Sequence, residues 1–316
     1  MELSTNFILS DFFDGSNYDK KNISKDWNRF YEEAKYALNK VDYNLLKDWA
    51  SESLSIALNA TWGRALNLWD LVKAVAEGTW EEFKKLWNAL WEGEITKYAR
   101  DLCKRTWSFL KDIWSVLKNK TKDIKSFVSS IKDLSKAELI EVAASLVGAI
   151  IAFTVVGGTN GGVIDSDIKV LGLGGHRSIY FHSIVVGLAG EITFLSFFKL
   201  VELLHGNLPK KHLPIWDRML KIYSRFTQGL ITGTWIGVTT HLVFDAHIDG
   251  WTPYKDLPVS LPKWGHVMIM DLNAATSGWF AWQWLDKIKR HLRKNNFNPP
   301  RSKKGNIYSA LPELKN

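Results

Sequence analysis

Four stretches of about twenty mostly apolar residues, roughly 138–158, 183–204, 226–246 and 266–285, constrain this chain more than any other feature. Each is close to the ~20 residues a helix needs to cross the hydrocarbon core of a bilayer. Each also carries a polar interruption: Glu141, Glu191, Thr239 with Thr240, and Asp271. Such stretches fit transmembrane helices or, alternatively, unusually apolar helices of a soluble core. Small residues recur, as in "GLITGTWIG" (229–237), which suits close helix contact in a membrane. Ser135 and Glu138 have capping-box spacing, so a helix is predicted to begin there.

Upstream, from about Lys25 to Ser130, the pattern is also helical. Trp62, Trp69, Trp80, Trp87 and Trp91 are separated by 7, 11, 7 and 4 residues, which keeps them on one narrow stripe at a helical turn angle. The stripe fits a tryptophan-packed bundle or, alternatively, helices lying on a membrane or a protein partner. A break is predicted at "EGTWEE", where Thr79 and Glu82 again have capping-box spacing. The expected fold class is therefore all-α. A tryptophan-rich helical domain (1–135) precedes a domain of four apolar, transmembrane helices (136–285) and a basic tail (286–316).

The formal charge of +8 resides almost entirely in that tail. Nucleic acid is accordingly not an expected partner, whereas membrane lipid is. The single cysteine, Cys103, excludes a thiolate-rich zinc finger and leaves histidine and carboxylate as the metal ligands on offer. The first 21 residues lack the basic leader of a secretory signal, so insertion is expected to use internal segments.

Four consecutive antiparallel helices would bring one set of connections to one end. There the sequence gathers Asp165, Asp167, His176, Arg177, His182 and Ser183 in the first connection. His241, Asp245, His247 and Asp249 close the third helix, and His266 opens the fourth. Five of the eight histidines thus converge, and only His205, His212 and His291 fall at the other end. A lone histidine at a helix end is more often a cap, but the joint pattern suits a divalent ion, Zn²⁺ or Mn²⁺, in a site of one or two ions. His241 and Asp245, four apart, share a helical face. The glycines of "GGTNGG" and "GLGG" match no phosphate or dinucleotide fingerprint, and "DAHIDGWTPYKD" lacks the spacing of a calcium loop.

The runs "DSDIKVLGLGGHRSIYFHS" and "THLVFDAHIDGWTPYKDLPVSLP" together resemble the bacterial membrane-bound metal-dependent hydrolase family, which includes LexA-regulated inner-membrane proteins. The resemblance covers about residues 139–285 and implies a metal-activated hydrolase. The expected ligands are Asp167, His176, His182, His241, Asp245 and His247. Asp165 is the expected general base, a role open to Asp167 as well, and Arg177 would stabilise a developing oxyanion or phosphate. The last role points to a phosphoester or lipid-related substrate. The alternative is a non-catalytic membrane effector, channel or scaffold in which histidine and aspartate line a polar cavity.

Basic residues lie before the first apolar stretch, between the second and third ("PKKHLPIWDRMLK"), and after the fourth. The positive-inside rule then puts the N-terminal domain and tail in the cytoplasm of a bacterial inner-membrane protein, with the histidine cluster near the outer leaflet. A soluble cytoplasmic protein is the alternative location.

Overall fold

The computed structural model describes residues 20–105, 134–157, 162–166, 178–247, 254 and 261–293, with single positions at 107, 108, 111 and 115. Every regular element among the described residues is helical. They include α1 (Lys20–Asn39), α2 (Tyr43–Trp91), α3 (Lys136–Gly157), α4 (Ile184–Gly206), α5 (Pro214–His247) and α6 (Lys263–Arg293), with helical residues at 95–105 and a short 3-10 turn at Val163–Ser166. The all-α expectation is borne out. The chain divides into two compact units, one of residues 61–139 and one of residues 1–60 with 140–316.

In the first unit, α2 runs unbroken through Gly78, Thr79 and Glu82, where the sequence predicts a break. The Glu82 carboxylate does not cap. It accepts from Lys85 Nζ at 2.8 Å and pairs with Arg105, tying α2 to the helical residues 95–105. The hydrogen bond from Lys85, with the nearby charge of Arg105, holds that carboxyl below the usual range. The helix stops instead at Gly93, whose φ of 70° is the left-handed conformation that releases a helix C-terminus. Glu94 N then donates to Ala89 O at 2.8 Å. Trp62, Trp69, Trp80, Trp87 and Trp91 are all more than half exposed, so the stripe is not the core of a bundle among the described residues. Among the described residues, Trp80, Phe83 and Trp87 stack along their own helix.

Where α3 begins, at the end of the first unit, the predicted cap at Ser135 is present in both directions. Ser135 N donates to Glu138 Oε2 at 2.8 Å, and Glu138 N donates to Ser135 Oγ at 3.3 Å. α3 buries Val142, Ser145, Gly148, Ala152 and Val156, while Leu146, Val147, Ile150, Ile151 and Val155 are exposed. α3 and α4 are each long and apolar enough to cross a membrane. α5 and α6 outrun the apolar stretches predicted for them, extending from Pro214 and to Arg293, and take in charged turns. Two of the four predicted spans therefore have the required character among the described residues, rather than four.

α5 packs against α4 and α6, and α3 approaches it through glycines. Gly229 and Gly233 leave no room for a Cβ: one built there would collide with the backbone carbonyl oxygens of Ser145 and Ala149 on α3. Gly237 lies against Gly157 in the same seam. A four-residue spacing of small residues permits such backbone approach. On its other side α5 carries Trp235, fully buried with Ile56, Leu195, Ile231, Phe280 and Trp284. Trp235 lies where Gly187 of α4 has no side chain, and its Nε1 donates to Glu191 Oε2 at 2.8 Å.

The polar interruptions all find partners. Arg225 Nε donates to Glu141 Oε2 at 3.1 Å and Arg225 NH1 to Gln228 Oε1 at 3.0 Å. Thr232, Thr234, Thr239 and Thr240 each donate to the carbonyl four residues back in α5. A polar group so satisfied carries little of the burial cost that an unpaired one would impose. Gly233→Ala should lower stability by about 1–3 kcal/mol, since relief requires a backbone shift. Thermal unfolding in detergent checks this, and Gly78→Ala, where the added Cβ meets nothing within 4 Å, should not be destabilising.

Candidate metal centre

The end of the bundle where α4 begins, α5 ends and α6 begins collects the buried histidines. The chain reaches α4 through a tight turn: Phe181 N and His182 N both donate to Ser178 O, at 3.2 and 2.9 Å, and Tyr180 N donates to Ser178 Oγ. Ser183 then caps α4, accepting from Val185 N at 3.2 Å. Ile184 N donates to Asn273 Oδ1 of α6 at 3.2 Å, which fixes the start of α4 against its neighbour. His182 is thereby held one residue before the cap, fully buried.

Across from it, His241 and Asp245 project from one face of α5, as their spacing predicts. His241 Nε2 lies 3.4 Å from Asp245 Oδ2, and His182 Nε2 lies 3.5 Å from the same oxygen. The two rings are 5.4 Å apart and inclined at 52°. All three side chains are at most 8% exposed.

Those separations are longer than the ~2.7–3.2 Å usual for N–H···O bonds. They match the distance between two ligands on one tetrahedral ion: bonds of about 2.0–2.2 Å put adjacent donors about 3.3–3.6 Å apart. Two imidazole nitrogens and one carboxylate oxygen are also the donor set of three-ligand zinc sites that keep a fourth position open. The chemistry of the donors and their spacing thus fit a divalent ion.

Two further residues frame the group. Tyr254 is buried, and its hydroxyl donates to His182 O at 2.7 Å while its backbone N donates to His266 Nδ1 at 3.3 Å. The second bond places the His266 proton on Nε2. His266 is itself buried, at the first turn of α6. Met270, Ala246 and Tyr254 pack together beside this framework.

Of the residues the sequence marks, the structure brings His182, His241 and Asp245 together. It does not bring His247 to them: its Nε2 lies 2.8 Å from Asp271 Oδ1, in a contact about half exposed on both sides. Two residues beyond Asp245, His247 falls on a different face of α5. Asp165 belongs to the 3-10 turn at Val163–Ser166. Asp167, His176 and Arg177 lie outside the described residues. Tyr254 is the framing residue that sequence reasoning missed; its only signal is a position just after a Gly and Pro-bearing loop start, "GWTP".

Comparison with protein-family models, curated proteins and solved structures finds no match to this chain. Within the structure, Tyr254→Phe should cost about 0.5–1.5 kcal/mol, the worth of one hydrogen bond. Chemical denaturation checks this, with circular dichroism showing helix content unchanged.

Proposed function

We propose that the chain is a membrane-embedded, metal-dependent hydrolase of the bacterial inner membrane. His182, His241 and Asp245 bind a divalent ion, Zn²⁺ or Mn²⁺, and the substrate is a phosphoester or lipid-related molecule. The observation that carries this reading is that two buried histidine nitrogens each lie about one ligand–ligand edge from the same Asp245 oxygen, at a buried bundle end. The ion would supply Lewis acidity, polarising a scissile group and acidifying water near it.

The chain's own residues account for the rest. Asp245 supplies the negative charge that favours a cation, and its i−4 partner His241 shares the face. Tyr254 and Ser178 hold the backbone at His182, so that its ring is fixed before any ligand arrives. Asp165, with Asp167 as the other candidate, acts as general base or additional ligand. His176 completes the ligand set, and Arg177 neutralises charge on a phosphoryl or acyl oxygen. Membrane residence is supported by α3 and α4, whose outward faces remain apolar where a soluble core helix would be covered. With α3 and α4 crossing as a hairpin, the basic residues before α3 and after α4 favour the cytoplasm for the hairpin's open ends and the outer leaflet for the metal centre at its closed end.

A second reading is favoured by one observation, the near-complete burial of all three donors. A structural ion in a membrane scaffold would also be enclosed in this way. Hydrolysis of a chromogenic phosphodiester and of phospholipid vesicles separates the two. The hydrolase reading predicts turnover abolished by chelator, restored by Zn²⁺ or Mn²⁺, and lowered by His241→Ala beyond the roughly 10–100-fold typical of outer-shell partners. Metal bound at one ion per site with no turnover on either substrate would favour the scaffold.

Orientation has its own test. The native Cys103 is exposed and should be labelled by a membrane-impermeant maleimide only after the membrane is opened. In a Cys103→Ser background, Tyr180→Cys, beside the metal centre and exposed, should be labelled in intact spheroplasts. Labelling in the reverse pattern contradicts the proposed topology.

A further inference from the structure

The opposite end of α4 carries a second group of donors that the hydrolase reading does not use. His205 lies in the last turn of α4, His212 in the connection to α5, and Asp217 in the first turn of α5. His205 Nε2 is 3.0 Å from Asp217 Oδ1, and His212 Nε2 is 3.2 Å from the same oxygen. The rings meet edge to face with centroids 5.2 Å apart. One carboxylate oxygen is thus approached by two imidazole nitrogens, the three residues coming from three separate segments.

The other nitrogen of His212 makes the arrangement informative. Its Nδ1 is 3.0 Å from Pro209 O, and a carbonyl oxygen only accepts, so the proton resides on Nδ1. In the neutral ring, Nε2 then presents a lone pair towards a carboxylate oxygen. That contact is repulsive unless the ring carries a second proton or a metal cation lies between the two atoms. A backbone carbonyl on the far ring nitrogen is also the usual outer partner of a metal-bound histidine.

The connection that carries His212 is held in place by α1. Arg29 NH2 donates to Lys211 O at 2.6 Å. Glu33 Oε2 accepts from Leu213 N and from Trp216 Nε1, both at 2.9 Å, and Phe30 stacks on Trp216 at 4.1 Å. Glu33 is 6% exposed, so these bonds are shielded from water. The donors are therefore positioned by the fold.

We infer that His205, His212 and Asp217 form a second divalent-metal site, for an ion of the Zn²⁺, Mn²⁺ or Co²⁺ class. It lies about 34 Å from the first along α4, from 23 residues at ~1.5 Å each. Donor separations of 3.0 and 3.2 Å fit an octahedral ion, whose bonds of about 2.1–2.2 Å put adjacent ligands about 3.0–3.1 Å apart, and they fit hydrogen bonds as well, so metal uptake and not distance separates the two. Asp217 is 48% exposed, so the remaining positions are open to water and the ion is exchangeable. The inference stands independently of the hydrolase reading.

The test is a Co²⁺ titration of the full chain in detergent after chelator treatment, followed by visible absorbance. The intact chain should take up two equivalents. Asp217→Asn and His205→Gln should each take up one, and Asp245→Asn should keep one, namely the ion at this second site. Uptake by Asp217→Asn and His205→Gln equal to that of the intact chain overturns the inference, whatever becomes of the first site. A measurement without substitution guards against misfolding: Zn²⁺ should protect His205 and His212 of the intact chain from diethyl pyrocarbonate. Equal modification of both residues with and without Zn²⁺, as expected if a shared proton alone holds the group, also overturns it.

Discussion

The seam between α3 and α5 is the contact on which the bundle depends. Where Gly229 and Gly233 let the α3 backbone approach to carbonyl distance, no side chain could be added without moving a helix. That approach gives α3 its buried face of small residues and turns Leu146, Ile150 and Val155 outward. On the far side of α5, Trp235 fills the space left by Gly187 and brings Glu191 into a hydrogen bond. Once α5 is clamped between α3 and α4, its last turns place His241 and Asp245 against the turn that carries His182. The site is a consequence of packing several turns away.

Polar chemistry within the apolar helices follows one rule with two exceptions. A hydroxyl or charge is retained where a partner is within reach, on its own helix, as for Thr232, Thr234, Thr239 and Thr240, or across an interface, as for Arg225 with Glu141, whereas the buried Thr227 and Ser277 hydroxyls have no hydrogen-bond partner among the described residues. This rule matters more in hydrocarbon than in water, because no solvent substitutes for a missing partner. The candidate metal centre gathers three polar side chains in one buried volume at separations longer than hydrogen bonds, which an ion would bridge.

Much of this was legible in the sequence, and the reasons differ by element. The Ser135 cap was readable because both halves of a capping box are local. The shared face of His241 and Asp245 was readable because four residues are one helical turn. The convergence of His182 on them needed only antiparallel helices. The Thr79–Glu82 pattern misled because the same spacing also occurs inside a continuous helix, where Glu82 serves Lys85 and Arg105 instead. The tryptophan stripe showed periodicity, but periodicity states that a face is apolar and not what covers it. Tyr254 and the His205–His212–Asp217 group depend on loop geometry and on tertiary contacts from α1, neither of which has a period to read.

The central claim is that two imidazoles and a carboxylate at the α4–α5 junction hold one divalent ion. X-ray absorption at the zinc edge addresses it most directly, on Asp217→Asn protein loaded with one equivalent so that only this centre is filled. The account predicts about two imidazole nitrogens, seen by their outer-shell scattering, within a nitrogen and oxygen shell at about 2.0–2.1 Å. His241→Ala should remove one of them. A spectrum of oxygen ligands alone, unchanged by His241→Ala, would contradict it.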